Sequence, residues 1–166
     1  MHRPVLIALA AAIVSTSGTI AADDLPLRKA GQWELKTVMD EAGKKHEQTL
    51  TMCIDADMER KTATASDAEH KQSCSKYEVK KSGGTVVVDA TCSMNGRDVE
   101  SRTEMSGDFT TAFDVKIDSM TSGIDGAQSV SIKRTITQHG KYLGESCGEL
   151  KAGEAMGSDG TKVMVQ

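Results

Sequence analysis

Four cysteines are the residues of this chain with the most specific chemistry: Cys53, Cys74, Cys92 and Cys147. No two of them form a C-x-x-C pair, so the motif of a thioredoxin-like redox site and the paired ligands of a zinc ribbon are both missing. In an exported protein, an even number of cysteines is typical of disulfide bonds. We therefore expect these four residues to form two disulfides.

The alternation of side chains along the predicted strands bears on how the cysteines pair. Cys92 falls on the apolar side of its strand, whereas Cys53 falls on the polar side of its own. Because the two thiols then face opposite sides of a sheet, we do not expect them to bond. Cys53 and Cys74 flank one polar stretch, which a bond between them would close. We therefore predict the pairs Cys53–Cys74 and Cys92–Cys147.

The polar stretch 53–74 carries three acids at alternating positions: Asp55, Asp57 and Glu59. An EF-hand loop starting at Asp55 would need Gly at its sixth position and Glu at its twelfth, where this chain has Arg60 and Ser66. Acids also favour the first turn of a helix. The stretch therefore predicts a short helix, with Asp55 as its N-cap, that ends at about Thr64.

The other metal-binding side chains are scattered. The histidines beyond the first residues are single, and the methionines are dispersed. Zinc sites need clustered ligands, and methionine is an ordinary filler of hydrophobic cores. We therefore expect no metal site and no cofactor.

No catalytic motif is recognisable in the sequence. A G-x-S-x-G elbow, an H-E-x-x-H helix and a phosphate-binding loop are all missing. Asp114 and Asp118 share one strand face, where charges usually only solvate a surface. We therefore expect no catalytic residues and no enzymatic activity.

The first residues have the pattern of a secretory signal peptide. Arg3 precedes an apolar run over residues 5–14, and small residues follow up to Ala22. That run is about ten residues long, and a membrane-spanning helix needs about 20. The pattern predicts a cleaved signal peptide over residues 1–22 and a periplasmic protein without a transmembrane segment in its mature chain.

Charge and length limit what the predicted mature chain can do. It contains 19 basic and 24 acidic residues, because Arg3 is the one charged residue of the segment 1–22. A net charge of −5 argues against nucleic acid, which needs a basic patch. We predict one β-rich domain over residues 23–148 and a flexible tail over residues 149–166, which is rich in glycine and charge.

Much of the middle of the chain alternates with the period of two that is typical of strands. The clearest run places three apolar residues on one side and three charged ones on the other: Phe113, Val115, Ile117, against Asp114, Lys116, Asp118. In another run, Val130, Ile132 and Ile136 share their side with Arg134. We interpret the basic neighbours Lys133 and Arg134 as solvated strand positions.

Short turn sequences separate these runs. Gly83-Gly84 and Asn95-Gly96 are typical of tight hairpins, since these residues reach positive φ at little cost. Tight hairpins join antiparallel neighbours. The sequence therefore predicts a mainly β fold: a curled antiparallel sheet or half-barrel of about seven strands, with one short helix, held together by disulfides.

Several of these segments together resemble a known family. They are Gly31-Gln32-Trp33-Glu34, Cys53-Ile54-Asp55, Cys74, Cys92 and the closing run from Lys141 to Cys147. The chain resembles the bacterial envelope family catalogued as domain of unknown function 3617. The resemblance implies an exported, periplasmic protein and assigns no catalytic residues.

These observations leave two functions open. The first is a non-catalytic binding module for an apolar small molecule or an envelope partner. Its candidate ligand-lining residues are Trp33, Leu35, Met105 and Phe113. The simpler interpretation is that the same residues only fill the core, since buried apolar residues need no further purpose. The second is a structural or interaction protein of the cell envelope, without a small ligand, that uses a sheet edge or the 53–74 segment.

Overall fold

The computed structural model describes residues 25–125 and 128–165. The predicted signal peptide, residues 1–22, lies outside the described residues. The elements are β1 Gly31–Glu41, β2 Lys44–Ile54, α1 Ala56–Ser73, β3 Cys74–Ser82, β4 Thr85–Met94, β5 Arg97–Gly107, β6 Ala112–Asp125, β7 Gln128–Gly144, β8 Glu154–Gly157 and β9 Lys162–Met164.

All nine described strands form one antiparallel sheet in the order β3-β4-β5-β6-β7-β1-β2-β8-β9. The sheet is open, with β3 at one edge and β9 at the other. The predicted mainly β fold with one helix is therefore confirmed. The strands number nine instead of about seven, because the segment after Cys147 adds β8 and β9.

Tight turns join the long strands, as their sequences predict. Gly83-Gly84 has φ angles of 57° and 84°, and Asn95-Gly96 has 53° and 74°. A third turn of this kind, Ala42-Gly43, joins β1 to β2, and its Gly43 N–H donates to the Asp40 carboxylate at 2.9 Å. Two successive positive φ angles match the twist of paired strands.

An aromatic cluster fills one end of the sheet's inner face. Trp33 is 1 % exposed and Phe113 4 %. The ring of Phe113 lies 5.4 Å from that of Trp33 and stacks on Phe109 at 5.1 Å. The indole N–H of Trp33 donates to the Lys29 carbonyl at 2.8 Å, so its one polar group is satisfied. The cluster is Trp33, Leu35, Met52, Ile54, Phe109, Phe113 and Ala155.

Helix α1 lies over this inner face. Asp55 is its N-cap, as predicted, and accepts hydrogen bonds from the backbone N–H groups of Asp57 and Met58, both at 3.0 Å. The helix continues beyond Thr64 to Ser73, so it is 18 residues long and extends for about 27 Å. This length suits a connection between β2 and β3, because those strands are six places apart in the sheet, or about 29 Å.

The structure corrects the predicted disulfide pairing. The bonds are Cys53–Cys147 and Cys74–Cys92. The predicted bond between Cys53 and Cys74 is wrong because α1 carries the chain from β2 to the opposite edge of the sheet. There Cys74 lies directly across from Cys92 in the β3–β4 register.

The segment 149–166 also differs from the flexible tail that its composition predicts. Its strand β8 pairs with β2, and β9 pairs with β8. Leu150 and Ala155 are buried, and the Gly153 N–H donates to the Cys53 carbonyl at 3.0 Å. Backbone pairing and the nearby Cys53–Cys147 bond hold this segment, although its composition is polar.

Candidate functional site

The four predicted ligand-lining residues lie together at one end of the inner face. Trp33, Leu35 and Phe113 are buried in the aromatic cluster, and Met105 is half-buried against it. Their neighbours are the other members of the aromatic cluster and the half-buried residues packed against it. They therefore form the closed end of the inner face.

A row of aliphatic side chains crosses the same face beyond this cluster. Its members, five aliphatic side chains and one threonine, lie opposite one another in the register of six neighbouring strands: Met39, Ile136, Ile117, Thr103, Val88 and Val79. Five strand spacings give this aliphatic row a length of about 24 Å. All its members are half-buried except Val88, which is 7 % exposed. The row is thus less covered than the aromatic cluster.

A polar row runs beside the aliphatic row, one register step further along the strands. It consists of Glu41, Arg134, Ser119 and Ser101, each opposite the next. The Arg134 Nε donates to Oε2 of Glu41 at 2.8 Å, and Nη2 donates to the same oxygen. Both side chains remain more than one third exposed. The ion pair therefore stands on a largely apolar face and is still within reach of solvent.

Three contacts place α1 over this inner face. Arg28, before β1, forms a bidentate ion pair with Glu59 of the helix, with N–O distances of 2.8 and 2.7 Å. Its Nη1 also lies 3.5 Å from the sulfur of Met52, an inner-face residue. Further along, the ring of His70 stacks on Tyr77 at 4.6 Å.

The side of α1 that is turned to the sheet is polar. Ser66, Asp67 and His70 are half-buried there, and Ser66 Oγ lies 3.3 Å from Nδ1 of His70. Burial, together with the charge of Asp67, raises the pKa of Tyr77. A polar helix face does not complete a hydrophobic core with the aliphatic row.

The outer face of the sheet is charged. Hydrogen bonds from Lys116 and Thr135 lower the pKa of Asp118. Asp114 and His139, opposite each other on β6 and β7, are 2.8 Å apart and both exposed. Charges of alternating sign on exposed strands solvate a surface, as the sequence predicts.

Several surface depressions lie away from the inner face, and two of them have well-defined surroundings. One, of about 350 Å³, is on the outer face and is lined by both signs of charge, including Lys76, Arg102 and Asp118. The other, of about 500 Å³, lies beside the Cys53–Cys147 bond. Neither combines a long aliphatic surface with a polar group at its side, as the inner face does.

Within residues 25–125 and 128–165, no group of three or more His, Cys, Asp or Glu side chains is arranged to hold a metal ion. The one helix of these residues, α1, is too polar to cross a membrane.

The sequence analysis did not predict that the aliphatic row forms one continuous surface. The sequence did contain a pattern that pointed to the polar row. Arg134 shares a strand side with Ile132 and Ile136, and an arginine on an apolar side needs an explanation. Lys133, its neighbour, points to the outer face, so the two basic residues belong to different surfaces. Lys133 is an exposed strand position, whereas Arg134 is half-buried and ion-paired with Glu41.

The comparison with known families decides the identity at the level of family. The sequence model of a family described as "Protein of unknown function (DUF3617)" matches residues 28–147. The chain belongs to the DUF3617 family. The match covers β1 to β7, α1 and all four cysteines, and it leaves β8 and β9 outside. No curated protein and no solved structure matches this DUF3617 chain significantly.

Proposed function

We propose that this DUF3617 protein is an exported, non-catalytic binding protein that holds an elongated apolar molecule on its inner face, between the sheet and α1. Two disulfides suit an oxidising compartment such as the periplasm. The predicted signal peptide supports the same location.

The aliphatic row carries the proposal. A row of aliphatic side chains about 24 Å long has the shape of a narrow, extended ligand. The row is half-buried, whereas the aromatic cluster beside it is sealed. Burying the rest of each half-buried side chain against a ligand would contribute about 1 kcal/mol per residue.

The polar underside of α1 also supports the proposal. A helix that served only to complete the core would present apolar side chains to Ile117 and Ile136. Instead, one alanine, Ala63, and three polar residues are half-buried between positions 61 and 72 of the helix: Ser66, Asp67 and His70. The helix is anchored near both its ends, by Glu59 and by His70, so it is placed to cover a ligand.

The test is displacement of the apolar dye N-phenylnaphthylamine by cetyl alcohol. We expect the full protein to bind the dye and the alcohol. Ile117→Gln, in the aliphatic row, should weaken the binding of both the dye and the alcohol by about tenfold or more, because it places an amide against the apolar ligand. Val87→Gln, the same change on the outer face, should leave binding unchanged. Equal binding of the dye by the Ile117→Gln and Val87→Gln variants would contradict the proposal. No binding by the unmodified protein would also contradict it.

One observation favours the second candidate, an envelope interaction protein without a small ligand. Edge strand β9 exposes Val163 and Met164, which are 45 % and 63 % exposed. Exposed apolar edge strands can pair with another chain. In vivo crosslinking through residue 163, with a single neighbour captured, would support this candidate. If a Val163→Lys variant formed the same crosslinks from other positions as the unmodified protein, this candidate would be contradicted.

A further inference from the structure

We infer that the ligand of the inner face is a long-chain anion and that Arg134 receives its head group. This inference rests on the proposed function and adds the chemical class of the ligand. It concerns the polar row, which the aliphatic row alone does not explain.

The position of Arg134 is the first argument. It lies one register step from the aliphatic row, between Ile136 and Ile132 on the same side of β7. A chain lying along the aliphatic row would therefore have a guanidinium beside it. Guanidinium groups bind carboxylates and phosphates through parallel N–H donors.

The hydrogen bonding of Arg134 is the second argument. Nε and Nη2 both donate to one oxygen of Glu41, so the pair is not the symmetrical, two-oxygen arrangement. Nη1 donates to no other described residue. Glu41 thus fixes the plane of the guanidinium and leaves donors for a further acceptor. The hydroxyl of Ser119, which lies opposite Arg134, donates to the backbone carbonyl of Arg134 at 3.4 Å.

The charge of the inner face is the third argument. By register, two cations, Lys44 and Arg134, lie on either side of one carboxylate, Glu41, at this level of the face. The whole chain has a net charge of −4, so this group of three side chains is opposite in sign to the protein. Lys44 lies directly across from Glu41, on the side away from Arg134. A basic group of side chains on an acidic protein complements an anionic ligand.

The acids of α1 do not cancel this charge. Glu59 is bound by Arg28, and Asp67 is bound by Lys71 at 2.6 Å. Each of these carboxylates on the sheet side of the helix therefore has its own cation. The net positive charge of Lys44, Glu41 and Arg134 is thus not neutralised by the helix.

The experiment compares palmitate with cetyl alcohol, which share the chain and differ in the head group. Under conditions where palmitate is ionised, we expect the full protein to prefer palmitate by roughly tenfold or more, as for a hydrogen bond to a charged group. Arg134→Gln should abolish this preference and leave the affinity for cetyl alcohol within about twofold. Lys133→Gln, which removes the same charge one residue away on the outer face, should change neither.

A second variant guards against misfolding. Glu41→Gln combined with Arg134→Gln keeps the net charge and a neutral hydrogen-bonded pair, so it should fold and should also lose the preference for palmitate. Preference retained in both variants would overturn the role of Arg134, while cetyl alcohol binding would leave the proposed function intact. Failure of the unmodified protein to bind either probe would instead overturn the proposed function itself.

Discussion

Cys53 at the end of β2 is bonded to Cys147 after β7, across 94 residues of sequence, with Cα atoms 5.4 Å apart. This bond encloses the second bond, Cys74–Cys92, which spans 18 residues. The two bonds therefore restrict very different lengths of the unfolded chain.

The first prediction concerns the unequal stabilisation by the two disulfides. In the chain-entropy model, the Cys53–Cys147 bond contributes about 4.7 kcal/mol and the Cys74–Cys92 bond about 3 kcal/mol. We expect the variant with serine at 53 and 147 to lose more free energy of unfolding than the variant with serine at 74 and 92. Urea unfolding of both variants measures the difference. Non-reducing peptide mapping should link Cys53 to Cys147, and a peptide linking Cys53 to Cys74 would refute this pairing.

The second prediction concerns acid stability through Asp108. Hydrogen bonds from the Thr111 hydroxyl and from the backbone N–H groups of Thr111, Thr110 and Ala112 hold the pKa of Asp108 well below its ordinary value of 3.8. A carboxyl whose pKa is lower in the folded state stabilises the fold above its unfolded pKa and loses that contribution as pH falls below it. We therefore expect stability to decline below about pH 4, in part through this residue.

Asp108→Asn tests this contribution, since it cannot titrate. Thermal unfolding across the acid range should show a shallower loss of stability than in the unmodified protein. The same loop holds Phe109 at a φ of 55°, so the variant should also be less stable at neutral pH. Glu149→Gln, on an exposed carboxylate, is the matched control. An acid profile identical to that of the control would show that Asp108 is not involved.

The third prediction concerns the close packing of Gly140 on Phe113. A Cβ atom at position 140 would overlap the ring of Phe113, which lies directly opposite on β6. Gly140→Ala should therefore displace the ring and cost about 1–3 kcal/mol of stability, as other overpacked cores do. Thr137→Ala, at an exposed position of the same strand, is the control. Near-ultraviolet circular dichroism should report the disturbed aromatic cluster; an unchanged spectrum and an unchanged midpoint would contradict the prediction.

The fourth prediction concerns the anchor between Arg28 and Glu59. The side chains of this ion pair are 20 % and 10 % exposed, so removing one charge leaves the other poorly solvated. Glu59→Gln should lower the free energy of unfolding by about 2 kcal/mol, and hydrogen exchange should speed up in the first turns of α1. Glu69→Gln changes an exposed residue of the same helix. It should change neither the free energy of unfolding nor the rate of hydrogen exchange in α1. Unchanged exchange in α1 would show that the pair does not anchor the helix.

The local sequence determined the long strands, their hairpins and the start of the helix, but not β8, β9 or the second half of α1. Alternating side chains in runs such as 113–118 fixed which residues face the core, because successive side chains of a strand point to opposite faces. Gly83-Gly84 and Asn95-Gly96 placed two hairpins through their backbone preferences, and Asp55 placed the start of α1. The burial of Trp33, Leu35 and Phe113 followed from the same alternation.

Only the tertiary structure decided which residues of different strands are neighbours across the sheet. The pairing of Cys53 with Cys147 depends on strand order, which brings the chain after β7 back to β2 and takes β3 to the far edge. The aliphatic and polar rows join residues such as Met39 and Val79 that are distant in sequence and are aligned only by register. Periodicity gives the face of each side chain within one strand, but neighbours across a sheet are set by long-range pairing, which no local pattern contains.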